Sequence, residues 1–225
     1  MVFGLKSKDR KTNDLESSKY NKRVFGVSLS IAVRNGAVSS SVHVPRIVWE
    51  CVSHVNQHGL LVEGIYRISA SKARLDELEK LADSGSPIQF TDAHNAAGLL
   101  KRFLRQLPSH VLGDIRKGAE ETASSCQCNF DSPCRCDAVV QVSKLLKELP
   151  IENYHLLCIV FIHAQFVVQN SNVNKMNFAA LGVLLQAMLN MPKQLIRLFL
   201  LNASSRFCGE GETIKELFGD SVITR

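Results

Sequence analysis

The segment from Tyr154 to Val168 limits the fold more than any other, because its apolar residues do not keep to one side. A helix at a protein surface separates an apolar stripe from a polar face, whereas a helix that is hydrophobic all round has to be enclosed. His155, His163 and Gln165 interrupt the run. No stretch of about 18 consecutive apolar residues occurs, which argues against a membrane span. The segment therefore reads as a helix at the centre of a domain, with His163 as a core histidine whose ring nitrogens are satisfied by partners. A chain of 225 residues, 45% of them hydrophobic, is enough for one domain with a substantial core.

Apolar spacing around this segment predicts further helices at residues 28–35, 45–58, 69 or 71–83, 93–107, 138–147, 151–169, 177–190 and 192–203, with a short last one near 213–218. Ile47, Val48, Cys51, Val52 and Val55 keep to one face, and Gly59 ends that helix. Trp49 lies off the stripe, as a second packing contact or an exposed anchor. Leu75, Leu78 and Leu81 point inward on the next helix, whose Glu77, Glu79, Lys80 and Asp83 read as a wet face capped by Ser69 or Ser71. No segment shows strand alternation flanked by hairpin turns. The expected architecture is a single all-α domain of about eight or nine helices.

Two stretches carry the chemistry. In Glu63-Gly64-Ile65-Tyr66-Arg67-Ile68, Gly64 makes a turn through backbone angles that a side chain forbids. Arg67 then leaves that turn between Tyr66 and Ile68, two apolar neighbours expected to be held by packing. A guanidinium on a braced loop is suited to meeting phosphate; a lone arginine would otherwise read as a surface ion pair. About thirty residues on, Leu99, Leu100, Phe103 and Leu104 make one helical stripe. Lys101 and Arg105, four apart, share another face, and Pro108 stops the helix. The plain alternative for this pair is a solvated helix face.

Together these residues resemble the Rho-family GTPase-activating domain, which carries a Gly-Ile-Phe/Tyr-Arg loop and a Leu-Lys-x-Phe/Tyr-Leu-Arg-x-Leu-Pro helix. The similarity runs from Phe25 to about Gly219. Leu145 to Pro150, Asn153-Tyr154, Lys175-Met176-Asn177 and Glu216 to Gly219 resemble the Ral-binding members in particular. The resemblance implies an all-helical fold and makes Arg67 an arginine finger, inserted into a GTP-bound Rho-, Rac- or Cdc-type GTPase. Lys101 would contact the GTPase near its switch region, Arg105 would hydrogen-bond back to the finger loop, and Gly64 and Tyr66 would shape that loop. Such a protein is no enzyme alone; it completes its partner's active site. One departure stands out: the family's helix with two asparagines aligns with Ala180 to Met188, and both asparagine positions, Ala180 and Met188, are apolar here. A catalytically weak binding module is the second reading. The Ral-binding coiled coil of those relatives is not visible, so Ral binding is not carried over.

Charge and cysteine content set the remaining expectations. The net charge is +6, with seven basic against three acidic side chains in residues 1–25. Residues 1–24 thus read as a disordered basic lead-in, with weak contact to anionic lipid as an alternative at on the order of 1 kcal/mol per basic residue. The rest is near +2, too little for a nucleic-acid surface. The seven cysteines, without a secretory pattern, imply reduced thiols and a cytoplasmic location, with membrane recruitment as an option. Residues 109–137 are the least regular, and 119–137 read as a Cys-rich loop insertion; 220–225 form a tail. Cys126, Cys128, Cys134 and Cys136 could surround zinc. Their one-residue gaps fit chelation less well than the usual two to four, so the expectation is a variable loop and no metal. The histidines are scattered, and no Gly-rich phosphate loop occurs; no cofactor and no independent hydrolase activity are assigned.

Overall fold

A computed structural model describes residues 22–128, 132–205 and 215–218. The architecture is all-α, and no strand occurs among the described residues. Among the described residues ten α-helices follow in order: α1 Leu29–Gly36, α2 Arg46–His58, α3 Lys72–Ser84, α4 Ala93–Arg105, α5 Arg116–Ser124, α6 Asp137–Leu146, α7 Ile151–Gln169, the single turn α8 Ser171–Asn174, α9 Phe178–Leu189 and α10 Lys193–Asn202. A 3₁₀ turn at Gly113–Ile115 leads into α5.

The apolar segment is the central helix α7. By length and hydropathy it is the one described helix that could cross a membrane, yet most of it is buried inside the domain, with α1, α2, α9 and α10 packed against it. Its three polar interruptions are all buried and all partnered, as such groups must be to avoid a desolvation penalty. His155 Nδ1 accepts from the His43 amide at 3.0 Å. Gln165 Nε2 donates to the Leu200 carbonyl at 3.1 Å, and its Oε1 accepts from Ser204 Oγ at 2.6 Å. Beneath it, Phe161 and Phe199 lie with ring centroids 4.6 Å apart, and Phe199 meets Phe218 at 5.9 Å.

The most extensive pairing of helices is α2 against α4. At the end of α2, a Cβ on Gly59 would come within 3.0 Å of the Ala93 Cβ and 2.9 Å of Val55 Cγ1. A glycine is therefore required where α2 meets the start of α4. Asp92 caps α4 by accepting from the His94 amide at 2.8 Å. Trp49 is half-buried against the core, so it is a packing contact.

Four sequence expectations change. Residues 116–124 form α5, although only Ala119 and Ala123 of it are buried; it is supported by an Arg116–Glu120 pair at 2.8 Å, and so little apolar content gives no stripe to read. The α3 face is only partly wet: Glu79 accepts from Arg102 at 2.8 Å, and Asp83 Oδ1 accepts from the amides of Val24 and Phe25 at 2.8 and 3.0 Å, so the chain is already tied down at Val24. Ser71 occupies the N-cap position of α3 but its side chain makes no capping bond. Residues 215–218 are not helical, while the rest of the expected last helix and most of the basic lead-in lie outside the described residues. Phe161→Ala is expected to lower stability by about 3–5 kcal/mol, the usual cost of emptying a buried aromatic site; urea unfolding measures it.

Candidate functional site

The loop between α2 and α3 is a tight coil closed on its own glycine. Gly64 sits at φ +70°, and Tyr66 at φ +65°, a left-handed conformation that is costly for a residue with a Cβ and persists only where surroundings enforce it. The Gly64 carbonyl accepts from the amides of both Arg67 and Ile68 at 2.8 Å.

Three braces enforce that shape. From below, Tyr66 is 3% exposed, and its hydroxyl meets His163 Nε2 of α7 at 2.5 Å, while His163 Nδ1 meets Asn56 Oδ1 of α2 at 2.6 Å. Burial raises the Tyr66 phenol, with a smaller effect from Cys51, and burial lowers His163 to about 3. The phenol therefore keeps its proton and donates to a neutral imidazole, which donates in turn to Asn56. From one side, Lys101 Nζ of α4 donates to the Tyr66 carbonyl at 2.5 Å. From the other, the Gly64 amide donates to the Asn174 carbonyl at 2.8 Å. Asn174 is fully buried; its Nδ2 donates to the Leu60 and Val167 carbonyls, each at 2.8 Å.

On this base Arg67 is exposed, and its guanidinium makes no hydrogen bond or ion pair among the described residues. Ile68 does not brace it, being 47% exposed; the packing comes instead from Ile65 and Tyr66. Arg105 is also exposed. Burial, then the charge of nearby Arg105, lowers the Lys101 ammonium from its ordinary value. The bond to the Arg67 loop expected of Arg105 is made by Lys101, because position 101 faces the loop and Arg105 is exposed. Around this cationic edge stand exposed Leu61 and Val173, on the two segments that Asn174 joins.

Arg67 thus presents its side chain to solvent. A match to the RhoGAP domain model spans residues 45–194 and takes in the loop, α4 and α9. The chain belongs to the RhoGAP domain family. Among its relatives are RalA-binding protein 1-A of Xenopus laevis, 28% identical over 90% of this chain and 28% of that protein, and RalA-binding protein 1 of Drosophila melanogaster, 32% identical over 82% of this chain and 29% of that one. Human Rho GTPase-activating protein 24 is 32% identical over 76% of this chain and 23% of its own length. The chain therefore spans under a third of these proteins. The crystal structure of human Rho GTPase activating protein 15 matches in fold, with a TM-score of 0.69 at 22% identity, covering 86% of this chain and 96% of that one.

Within the RhoGAP domain, the two positions read as replacing asparagines differ in setting. Met188 is 5% exposed and lines an apolar floor with Tyr66, Leu100, Leu104, His163, Leu181 and Leu185, around a void of only about 10 Å³. Ala180, in the first turn of α9, is half-buried. Sequence reading missed Asn174 and Asn56 as supports, because a single amide in a polar stretch gives no periodic signal.

The acid limb of the stability curve tests the Tyr66–His163 brace. His163 is neutral when folded down to about pH 3 but titrates near 6.5 when exposed, so its contribution is fully present above pH 6.5 and falls below it by about 1.4 kcal/mol per pH unit. His163→Gln is expected to flatten the pH dependence between about 6.5 and 4, measured by urea unfolding of both proteins across that range.

Proposed function

We propose that this RhoGAP domain accelerates GTP hydrolysis by Rho-family small GTPases in their GTP-bound state, with Arg67 as the arginine finger. The observation that carries this reading is an exposed guanidinium on a loop braced from three sides. A small GTPase hydrolyses slowly because charge on the transferring phosphoryl oxygens is incompletely stabilised, and an arginine delivered in trans is worth roughly 10³–10⁵ in rate. Preorganisation matters here, since a donor held in place needs no reorganisation when charge develops.

Lys101 acts in this scheme by holding the Tyr66 carbonyl, and so the direction in which Arg67 leaves the loop. Arg105 adds positive charge to the docking edge, where complementary potential speeds encounter. Gly64 and Tyr66 supply the two left-handed residues of the coil. The reading places the domain in the cytoplasm.

Ala180 and Met188 favour a second reading, a binding module with weak acceleration. Neither side chain can donate the hydrogen bonds of an amide.

Single-turnover hydrolysis with a panel of Rho-, Rac- and Cdc-type GTPases decides between them. Arg67→Ala is expected to lose acceleration by roughly 10³-fold or more while GTP-dependent binding persists; unchanged acceleration would sink the finger assignment. Wild-type binding without acceleration would instead support the module. Ala180→Asn is expected to raise the rate, since it returns an amide to this half-buried position; the same hydrolysis measurement reads it.

A further inference from the structure

We infer that Cys126, Cys128, Cys134 and Cys136 form a structural zinc site, apart from the finger loop, in which one ion is held by four thiolates. All four sulfurs lie within 4.8 Å of one another. Cys134 Sγ is 2.8 Å from Cys136, 3.3 Å from Cys126 and 3.4 Å from Cys128, and Cys126 is 3.6 Å from Cys136. An ion about 2.3 Å from each ligand in a tetrahedron separates its sulfurs by about 3.8 Å. A disulfide joins sulfurs in pairs, whereas here one sulfur approaches three others. The convergence is that of ligands around a point.

The one-residue gaps that count against chelation in the sequence are accounted for by the backbone. In extended chain, residues i and i+2 point to the same side, and Cys136 is extended at φ −74°, ψ 172°. The Cys134-Arg135-Cys136 pair can then present both sulfurs to one centre, and the sulfurs of Cys126 and Cys128 lie within 4.8 Å of them, the two pairs coming from the segments after α5 and before α6.

The setting is built rather than accidental. Asn202 of α10 is fully buried and grips Cys134 on both backbone groups: its Oδ1 accepts from the Cys134 amide at 3.0 Å and its Nδ2 donates to the Cys134 carbonyl at 2.9 Å. Arg197, one and a half turns earlier on the same helix, is buried and directs Nη1 at Cys126 Sγ, 3.4 Å away. Four thiolates around a divalent cation leave a double negative charge, and a guanidinium in contact with a ligand sulfur offsets it; such outer contacts orient and tune metal ligands. Soft thiolates select zinc over calcium or magnesium. With four protein ligands no coordination position remains open, so the site is structural rather than catalytic. It would pin the segments flanking α5 and α6 to α10.

The test uses the full chain, isolated under reducing conditions. It is expected to retain about one zinc per chain by elemental mass spectrometry, and exchange for Co²⁺ should give the intense visible absorption of a tetrahedral thiolate complex. Cys128→Ser with Cys136→Ser should abolish both. Should that variant fail to fold, the wild-type chain still decides the matter. Four thiols should resist a thiol reagent until a chelator is added, and chelation should lower the melting temperature. The assignment is overturned by iron in place of zinc, by four thiols equally reactive with and without chelator, or by a fully reduced chain that takes up no added Zn²⁺.

Discussion

The polar side chains of α7 organise this domain. A helix enclosed on all sides would be free to rotate or slide if its contacts were only apolar, because the hydrophobic effect has no direction. His155, His163 and Gln165 remove that freedom, each satisfied by a different neighbour: the segment around His43, the pair Asn56 of α2 and Tyr66 of the Arg67 loop, and the end of α10. A shift in register would leave buried donors and acceptors without partners, which costs about 1–3 kcal/mol apiece. The same bonds that set the core thus also set the position of Tyr66.

From Tyr66 the support passes outward to the loop. Of the two left-handed residues, Gly64 and Tyr66, the second carries a side chain and would not persist in an unsupported turn. Lys101 and Asn174 complete the support, one through the Tyr66 carbonyl and one through the Gly64 amide. Lys101 is therefore as much a structural residue as a cation, which its shared helical face with Arg105 does not reveal.

The fold was largely legible in the sequence because α2, α4 and α7 announce themselves by period or by uniform apolarity. The spacing of Leu99, Leu100, Phe103 and Leu104 identifies both a helix and its buried face. What escaped depends on contacts distant in the chain. α5 is short and polar and is stabilised by ion pairs rather than a stripe. Asn174 is indistinguishable by sequence from its neighbours Asn170 and Asn172, yet it alone of the three is fully buried. Ile68 is apolar and yet exposed, since hydrophobicity does not oblige a residue to be inside. Spacing along the chain does not reveal the cysteine cluster, because the meeting of the two pairs is decided by how α5 and α6 set them against each other.

The left-handed Tyr66 also bears on how fast a partner is engaged. A loop that had to order itself on contact would slow association and add a kinetic step sensitive to temperature and viscosity. With its geometry already assembled in the free protein, productive encounter needs only collision in the right orientation, for which rates of about 10⁵–10⁷ M⁻¹s⁻¹ are usual without steering. Residence time, rather than capture, is then the quantity left for partner discrimination to act upon.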